Sequence, residues 1–137
     1  MEIKIYTDGG SSGNPGPAAI GYVIFFDTKN FFALGKKIGI GTNNFAEYSA
    51  LIAALEKTID LIKQNADLSF SKIIVCSDSS LVVNQVNGLY KIKSPNIKNY
   101  VQRVKRLEQD IGVPIYYRHV PREENQLADS LVRKELY

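Results

Sequence analysis

Four acidic residues occupy positions in this sequence where a charge needs a physical reason. Asp8 and Asp78 each follow a short apolar run, so both are predicted at the carboxyl ends of strands. Glu47 lies at the edge of the apolar stripe of a predicted helix, and Asp129 falls in the first turn of another. Strand ends of this kind can be adjacent in a mixed sheet. If all four converge, only a cation can offset their mutual repulsion.

The ligand atoms of such a cluster determine its chemistry. Carboxylate oxygens suit Mg²⁺ or Mn²⁺, whereas a single cysteine and a single histidine cannot form a zinc site of the usual kind. Two divalent ions about 3.5–4 Å apart would stabilise both the attacking and the leaving oxygen of an in-line phosphoryl displacement. We therefore interpret the four residues as the ligands of a two-metal phosphodiesterase.

Structural explanations compete with this interpretation at two of the four positions. Asn44 and Glu47 have the spacing of a capping box, in which the glutamate reaches back to the start of its helix. Asp129 has the position that a helix dipole favours for an acidic residue. Local sequence leaves both alternatives open, and only the combination of four carboxylates favours a metal site.

Hydrophobic periodicity predicts the elements that position these residues. Strands are expected at about residues 3–8, 18–26, 32–41, 72–77 and 113–120, and helices at about 43–62, 80–87, 96–111 and 126–136. The glycine- and proline-rich segment 9–17 predicts a tight loop, residues 27–30 a turn, and Asn125 a helix cap. The order β-β-β-α-β-α-α-β-α predicts an α/β fold with a mixed sheet, in which three antiparallel strands are followed by parallel neighbours and helices cover the faces.

Length and composition restrict the class of protein. The 137 residues, 45% hydrophobic and 23% charged, are typical of one globular domain, which we expect to cover residues 1–137. No apolar run approaches the length of a membrane span, and the N-terminus lacks the apolar stretch of a signal peptide. The lone Cys76 lies in an apolar run and is interpreted as a buried thiol. We therefore expect a cytoplasmic protein without membrane contact.

The net charge of +3 is too small to indicate a nucleic-acid partner, but its distribution is informative. Six basic residues and no acidic one lie between positions 91 and 106. This segment is either a solvated helix face or a surface for phosphates. Its basic residues are Lys91, Lys93, Lys98, Arg103, Lys105 and Arg106.

Four sequence blocks together resemble ribonuclease H, type 1. They are YTDGGSSGNPGP (6–17), TNNFAE (42–47), SDS (77–79) and HVPREENQLAD (119–129). The resemblance implies a five-stranded mixed sheet with helices on both faces and cleavage of the RNA strand of RNA–DNA hybrids. It implies two Mg²⁺ ions, which Mn²⁺ can replace, and products with 5′-phosphate and 3′-hydroxyl ends. The positions that match the family's metal ligands are Asp8, Glu47, Asp78 and Asp129.

The same resemblance implies substrate contacts outside the carboxylates. The positions that match the family's minor-groove loop, its base and sugar contacts and its phosphate-binding threonine are Gly9, Ser11, Asn14, Thr42, Asn43 and Asn44. The basic helical protrusion of some relatives is missing. Lys91, Lys93 and Lys98 are therefore the candidates for holding the DNA backbone.

The loop before Asp129 departs from the common family pattern, in which a histidine assists proton transfer or product release. An alignment on Val120 and Pro121 leaves His119 on a strand and places Arg122 in the loop. A gapless count back from Asp129 puts His119 in the histidine's place instead. We favour the first alignment, which resembles a short-loop branch of the family where arginine takes over part of that role.

The predicted function is thus a Mg²⁺-dependent endonuclease on RNA–DNA hybrids, acting as a monomer without an obligate protein partner. One alternative keeps the fold and chemistry but changes the substrate, for example to double-stranded RNA or to RNA left by a reverse transcriptase. Another is a hybrid-binding module without activity. A pure binder has no physical need for four carboxylates beside a polyanion, which disfavours the last alternative.

Overall fold

The computed structural model describes residues 1–26 and 31–137, so the predicted turn at residues 27–30 lies outside the described part. The strands are β1 (Glu2–Ser11), β2 (Gly16–Phe25), β3 (Phe31–Gly41), β4 (Lys72–Ser77) and β5 (Ile115–His119). The helices are α1 (Asn43–Gln64), α2 (Ser80–Val86), α3 (Pro95–Ile111) and α4 (Gln126–Leu136). A 3₁₀ turn at Arg122–Glu124 precedes α4. The predicted order of elements is confirmed.

The five strands form one mixed sheet in the order β3-β2-β1-β4-β5. β1 pairs with β2, and β2 with β3, in antiparallel orientation, whereas β1–β4 and β4–β5 are parallel. The parallel pairs need crossover connections, which the helices provide. The sequence therefore predicted the sheet correctly as three antiparallel strands followed by parallel neighbours.

Helices cover both faces of the sheet, as predicted. Successive side chains of a strand point to opposite faces. Ile3 and Ile5 of β1 are therefore buried with Leu51 and Leu55 of α1 on one face, where α3 also packs. α4 packs on the other face, over β1, β2 and β3. The two kinds of neighbour at β1 place its carboxyl end between α1 and α4.

β1 is longer than the sequence indicated. It continues through Gly9 and Gly10 to Ser11, because these residues keep pairing with β2 after the parallel pairing with β4 has ended at Thr7. Asp8 therefore lies within a strand and not at its end. The predicted loop at 9–17 shrinks to residues 12–15.

Cys76 is buried in β4, as predicted, and this burial raises the pKa of its thiol. Across residues 1–26 and 31–137, we find no helix whose length and apolar character would let it cross a bilayer.

Candidate active site

Three carboxylates meet where β1 and β4 stop pairing. Thr7 is the partner of Ser77 in the last parallel pair, so the residues that follow, Asp8 and Asp78, lie side by side. Glu47 reaches the same point from α1. One carboxylate oxygen from each of the three lies within 4.8 Å of the others. The structure thus brings together three of the four acidic residues singled out in the sequence as one cluster.

Glu47 reaches the cluster because α1 packs directly on β1. A Cβ atom at Gly9 would lie 2.3 Å from the Ala46 carbonyl group, so only glycine allows this approach. The Gly9 N–H donates a hydrogen bond to Oε1 of Glu47. The cap of α1 is Thr42, whose Oγ1 accepts from the Phe45 N–H at 3.1 Å. The alternative of a capping box with Asn44 is therefore wrong.

α4 crosses the sheet above a row of glycines that begins at Asp8. Asp8 pairs with Gly21, and Gly21 pairs with Gly35. A Cβ atom at Gly21 would lie 2.6 Å from the carbonyl oxygen of Ala128, and one at Gly35 would lie 2.9 Å from that of Leu131. Because these positions lack side chains, the backbone of α4 can lie close to the sheet beside Asp8.

Asp129 lies next to the three-residue cluster without being part of it. Its carboxylate is near enough to Asp8 to raise the pKa of that residue. Its Oδ2 lies 3.1 Å from Nε of Arg133, one turn further along α4. Asp129 therefore stands between the cluster and a guanidinium group.

Asn125 has a position in this site that sequence reasoning missed. The predicted cap does not form, since the side chain makes no capping hydrogen bond to α4. Instead Asn125 is 1% exposed, its Nδ2 donates to the Thr7 carbonyl oxygen at 2.9 Å, and its Oδ1 has no partner. The residue ties the start of α4 to the strand position before Asp8. An asparagine just before a helix is so common as a cap that the sequence gives no separate signal.

Burial and mutual repulsion perturb the cluster strongly. Burial first, and then the Asp78 carboxylate, raise the pKa of Asp8 from 3.8 to about 7. Burial and the Asp8 carboxylate raise the pKa of Glu47 well above 4.5, against the opposing effect of the Gly9 N–H. Near neutral pH the cluster therefore gains from any positive charge that can bind between its oxygens.

The donor set fits a hard divalent cation. All three clustered side chains offer oxygen, and no histidine or cysteine lines the surrounding cleft in the described part of the chain. Oxygen-only sites prefer Mg²⁺, Mn²⁺ or Ca²⁺ over zinc or copper. The residues present therefore match the metal expected from the sequence.

An open cleft of about 440 Å³ surrounds the carboxylates. Gly9, Ser11, Asn43 and Asn44 line it, as does Arg122. These are five of the residues expected to act on or contact a substrate. The structure therefore presents backbone, amide, hydroxyl and guanidinium groups around the carboxylates.

A hydrogen-bond network orders one wall of this cleft. Oδ1 of Asn43 accepts from both the N–H and the Oγ of Ser11, at 3.0 Å each, and the Asn43 N–H donates to Oδ1 of Asn14 at 3.0 Å. The network joins the loop after β1 to the start of α1. Asn14 and Thr42 lie beside the cleft rather than on its lining.

The basic residues lie apart from the carboxylates. Lys91 and Lys93 are exposed in the connection between α2 and α3, and Lys98 is exposed in the first turn of α3. None of the three lines the cleft. Any role in binding must therefore involve a part of a long ligand that extends beyond it.

Comparison with known proteins gives consistent matches over almost the whole chain. A family model described as "Reverse transcriptase-like" matches residues 6–135. Ribonuclease HI of Halobacterium salinarum is 40% identical over 136 residues, and a bifunctional protein of Mycobacterium tuberculosis is 42% identical over 134, covering 98% and 96% of this chain. The crystal structure of LC11-RNase H1 in complex with an RNA/DNA hybrid is 40% identical, with a TM-score of 0.86 over 98% of this chain and 96% of that one. The chain belongs to the type 1 ribonuclease H family.

Ribonuclease H relatives differ from this chain in length. The chain spans 64% of the Halobacterium protein and 34% of the mycobacterial protein. The match to LC11-RNase H1, by contrast, covers nearly all of both chains. What is common to these proteins is therefore the ribonuclease H fold itself.

The structure of this ribonuclease H fold separates His119 from Arg122. His119 is the exposed last residue of β5, beside Ser77, and does not line the cleft. Arg122 begins the 3₁₀ turn and does line it. This placement favours the alignment in which Arg122 occupies the loop next to the carboxylates.

Proposed function

We propose that this chain is a divalent-metal-dependent endonuclease that hydrolyses the RNA strand of RNA–DNA hybrids. The observation that carries the proposal is the cluster of three carboxylates within 4.8 Å in an open cleft. Similarity to proteins named ribonuclease HI, and to LC11-RNase H1 in complex with an RNA/DNA hybrid, supports the substrate. Burying three anions together has no structural benefit by itself, which favours a site built to bind cations.

Four side chains would hold two Mg²⁺ ions, with Mn²⁺ as a possible substitute: Asp8, Glu47, Asp78 and Asp129. When bound, the ions supply an activated water and stabilise the departing 3′-oxygen, which leaves 5′-phosphate and 3′-hydroxyl ends. The Gly9 N–H fixes the orientation of the Glu47 carboxylate. The Arg133 guanidinium fixes that of Asp129. These contacts leave the remaining carboxylate oxygens for the ions.

The groups on the cleft wall would place the hybrid against the carboxylates. Gly9, Ser11, Asn43 and Asn44 are proposed to approach the minor groove, with Asn14 supporting Asn43 through the hydrogen bond at 3.0 Å. The 2′-hydroxyl is the group that distinguishes RNA from DNA there. The hydroxyl of Thr42 already accepts from the Phe45 N–H as a helix cap, and its own proton remains available for a phosphate.

Two kinds of basic residue would contact the phosphates. Arg122, on the cleft wall, is proposed to assist proton transfer or product release. Lys91 and Lys93, with Lys98, would hold the DNA strand beyond the cleft. We also propose that residues 1–137 form one catalytic domain of the short-loop branch, which acts as a monomer in the cytoplasm.

The test is cleavage of three labelled duplexes, an RNA–DNA hybrid, double-stranded RNA and double-stranded DNA, with Mg²⁺ and with Mn²⁺ separately. We expect cleavage of the hybrid, and Asp78→Asn is expected to bind it yet cleave it very slowly. Cleavage of double-stranded RNA would support the broader-substrate alternative. Cleavage of double-stranded DNA, or no cleavage of any duplex, would refute the proposal.

A further inference from the structure

A buried hydrogen bond outside the cleft joins the two helices nearest to Glu47 and Asp78. The Tyr48 hydroxyl donates to Oε1 of Gln85 at 2.6 Å. Tyr48 is 0% exposed and Gln85 is 7% exposed. α1 and α2 otherwise have few contacts with each other. This bond is therefore the principal polar tie between the two helices.

Each partner of this bond is close in sequence to a clustered carboxylate. Tyr48 directly follows Glu47 on α1. Gln85 lies on α2, and the cap of that seven-residue helix is Ser79, the residue after Asp78. The Ser79 N–H donates to Oγ of Ser77 at 3.1 Å, which links the start of α2 to the end of β4. A displacement of α2 would therefore be transmitted to Asp78 through a single turn of chain.

The chemistry of the pair suits a fixed spacer. Burial raises the pKa of Tyr48 to about 12, so the phenol remains a hydrogen-bond donor throughout the neutral range. Its ring also stacks on Tyr100 of α3, with centroids 5.4 Å apart, which restricts its position further. A buried acceptor without its donor is unfavourable, so the two helices are held at the spacing that preserves this bond.

We infer that Tyr48 and Gln85 are positioning residues that set the separation of Glu47 and Asp78, and with it the affinity of the carboxylate cluster for divalent cations. The inference rests on the proposed function, because it assumes that these carboxylates bind metal. Neither residue touches the cleft. Their effect must therefore act through the helices and not through contact with a substrate.

The structure offers a matched control for the loss of a phenol hydroxyl. Tyr117 also carries a poorly accessible hydroxyl, which donates to Oε2 of Glu108 at 2.7 Å. That bond joins β5 to α3, away from the carboxylates. Tyr48→Phe and Tyr117→Phe thus remove the same group from bonds of the same kind, but only the first bond ties α1 to α2.

The test measures Mg²⁺ binding to the hybrid-free protein by calorimetry and, separately, kcat and KM for the hybrid. Tyr48→Phe and Gln85→Met are each expected to weaken Mg²⁺ binding about tenfold, as is usual when a supporting residue of a metal site is lost. At saturating Mg²⁺, kcat is expected to recover, and KM for the hybrid stays unchanged. The double variant is expected to bind Mg²⁺ as weakly as each single one, because both remove one bond.

Several outcomes would overturn the inference. Equal Mg²⁺ affinity in Tyr48→Phe and Tyr117→Phe would reduce the pair to general stability, as would additive losses in the double variant. If Tyr48→Phe does not fold by circular dichroism, an unchanged affinity in Gln85→Met has the same meaning. A wild-type chain that cleaves the hybrid but shows no change in either variant refutes the positioning role alone. A wild-type chain that binds no Mg²⁺ refutes the proposed function with it.

Discussion

Asp8→Asn should stabilise the metal-free protein, and more so at alkaline than at acidic pH. The folded-state pKa of Asp8, about 7, lies above the ordinary value of 3.8. Between these values the unfolded chain has released a proton that the folded chain still holds, so stability falls as pH rises. The loss begins near pH 4 and is complete above about pH 7. At about pH 8 the ionised carboxyl then costs about 4 kcal/mol, and at about pH 5 less than about 2 kcal/mol.

Urea unfolding in EDTA measures this difference directly. Asp8→Asn should raise the free energy of unfolding by about 4 kcal/mol at about pH 8, and the gain should shrink toward about pH 5. Asp67→Asn, at an exposed position outside the cluster, is the control and should change little at either pH. Saturating Mg²⁺ should stabilise the wild type and remove most of the advantage of the variant.

The refuting result for this reasoning is a gain that does not depend on pH. A constant gain would mean that the asparagine improves packing or hydrogen bonding and that Asp8 titrates normally. A loss of stability at about pH 8 would mean that the ionised carboxylate is favoured in the folded chain. Either outcome would contradict an uncompensated cluster of anions.

Three further predictions concern α4, the loop and the basic residues. Gly21→Ala should lower the free energy of unfolding by about 1–3 kcal/mol and reduce kcat, because its Cβ would meet the Ala128 carbonyl at 2.6 Å. Gly10→Ala, with 3.7 Å to Val132, should leave urea unfolding unchanged, and equal losses would contradict the close packing of α4. In single-turnover cleavage, Arg122→Ala should be slower than the wild type, whereas a large loss only in His119→Ala would overturn the alignment of the loop. Replacing Lys91 and Lys93 by alanine should reduce the dependence of hybrid binding on salt by about 0.7–0.9 per lost phosphate contact in a plot of log K against log salt, and an unchanged slope would exclude them from the interface.

The sheet and the clustered aspartates could be predicted from local patterns. Apolar alternation located β1 and β4, and the rule that ligand sites lie at strand ends brought Asp8 and Asp78 together. Glu47 could be assigned because an acidic residue on an apolar stripe must face the protein and not water. These inferences depend on short-range periodicity, which a single sequence contains.

Other features depended on contacts between distant segments. The continuation of β1 through Gly9 and Gly10 requires β2 as a partner, which no local pattern reveals. The approach of Asp129 to Asp8 requires glycines on two further strands. Asn125 looks like a helix cap because its partner, the Thr7 carbonyl oxygen, lies 118 positions away in the sequence. Sequence reasoning identified these residue types correctly but assigned local roles to groups that act over long range.

The position of α4 over the glycine row has a consequence for biosynthesis. A nascent chain can form β1 through β4 and gather Asp8, Glu47 and Asp78 while residues 125–136 are still inside the ribosome. Asp129 and the clamp formed by Asn125 join only after that helix emerges. A chain stalled before this point would hold three acidic ligands and lack the fourth. Competence for phosphodiester cleavage would thus be withheld until translation has passed α4, so a truncated product would not degrade nucleic acid.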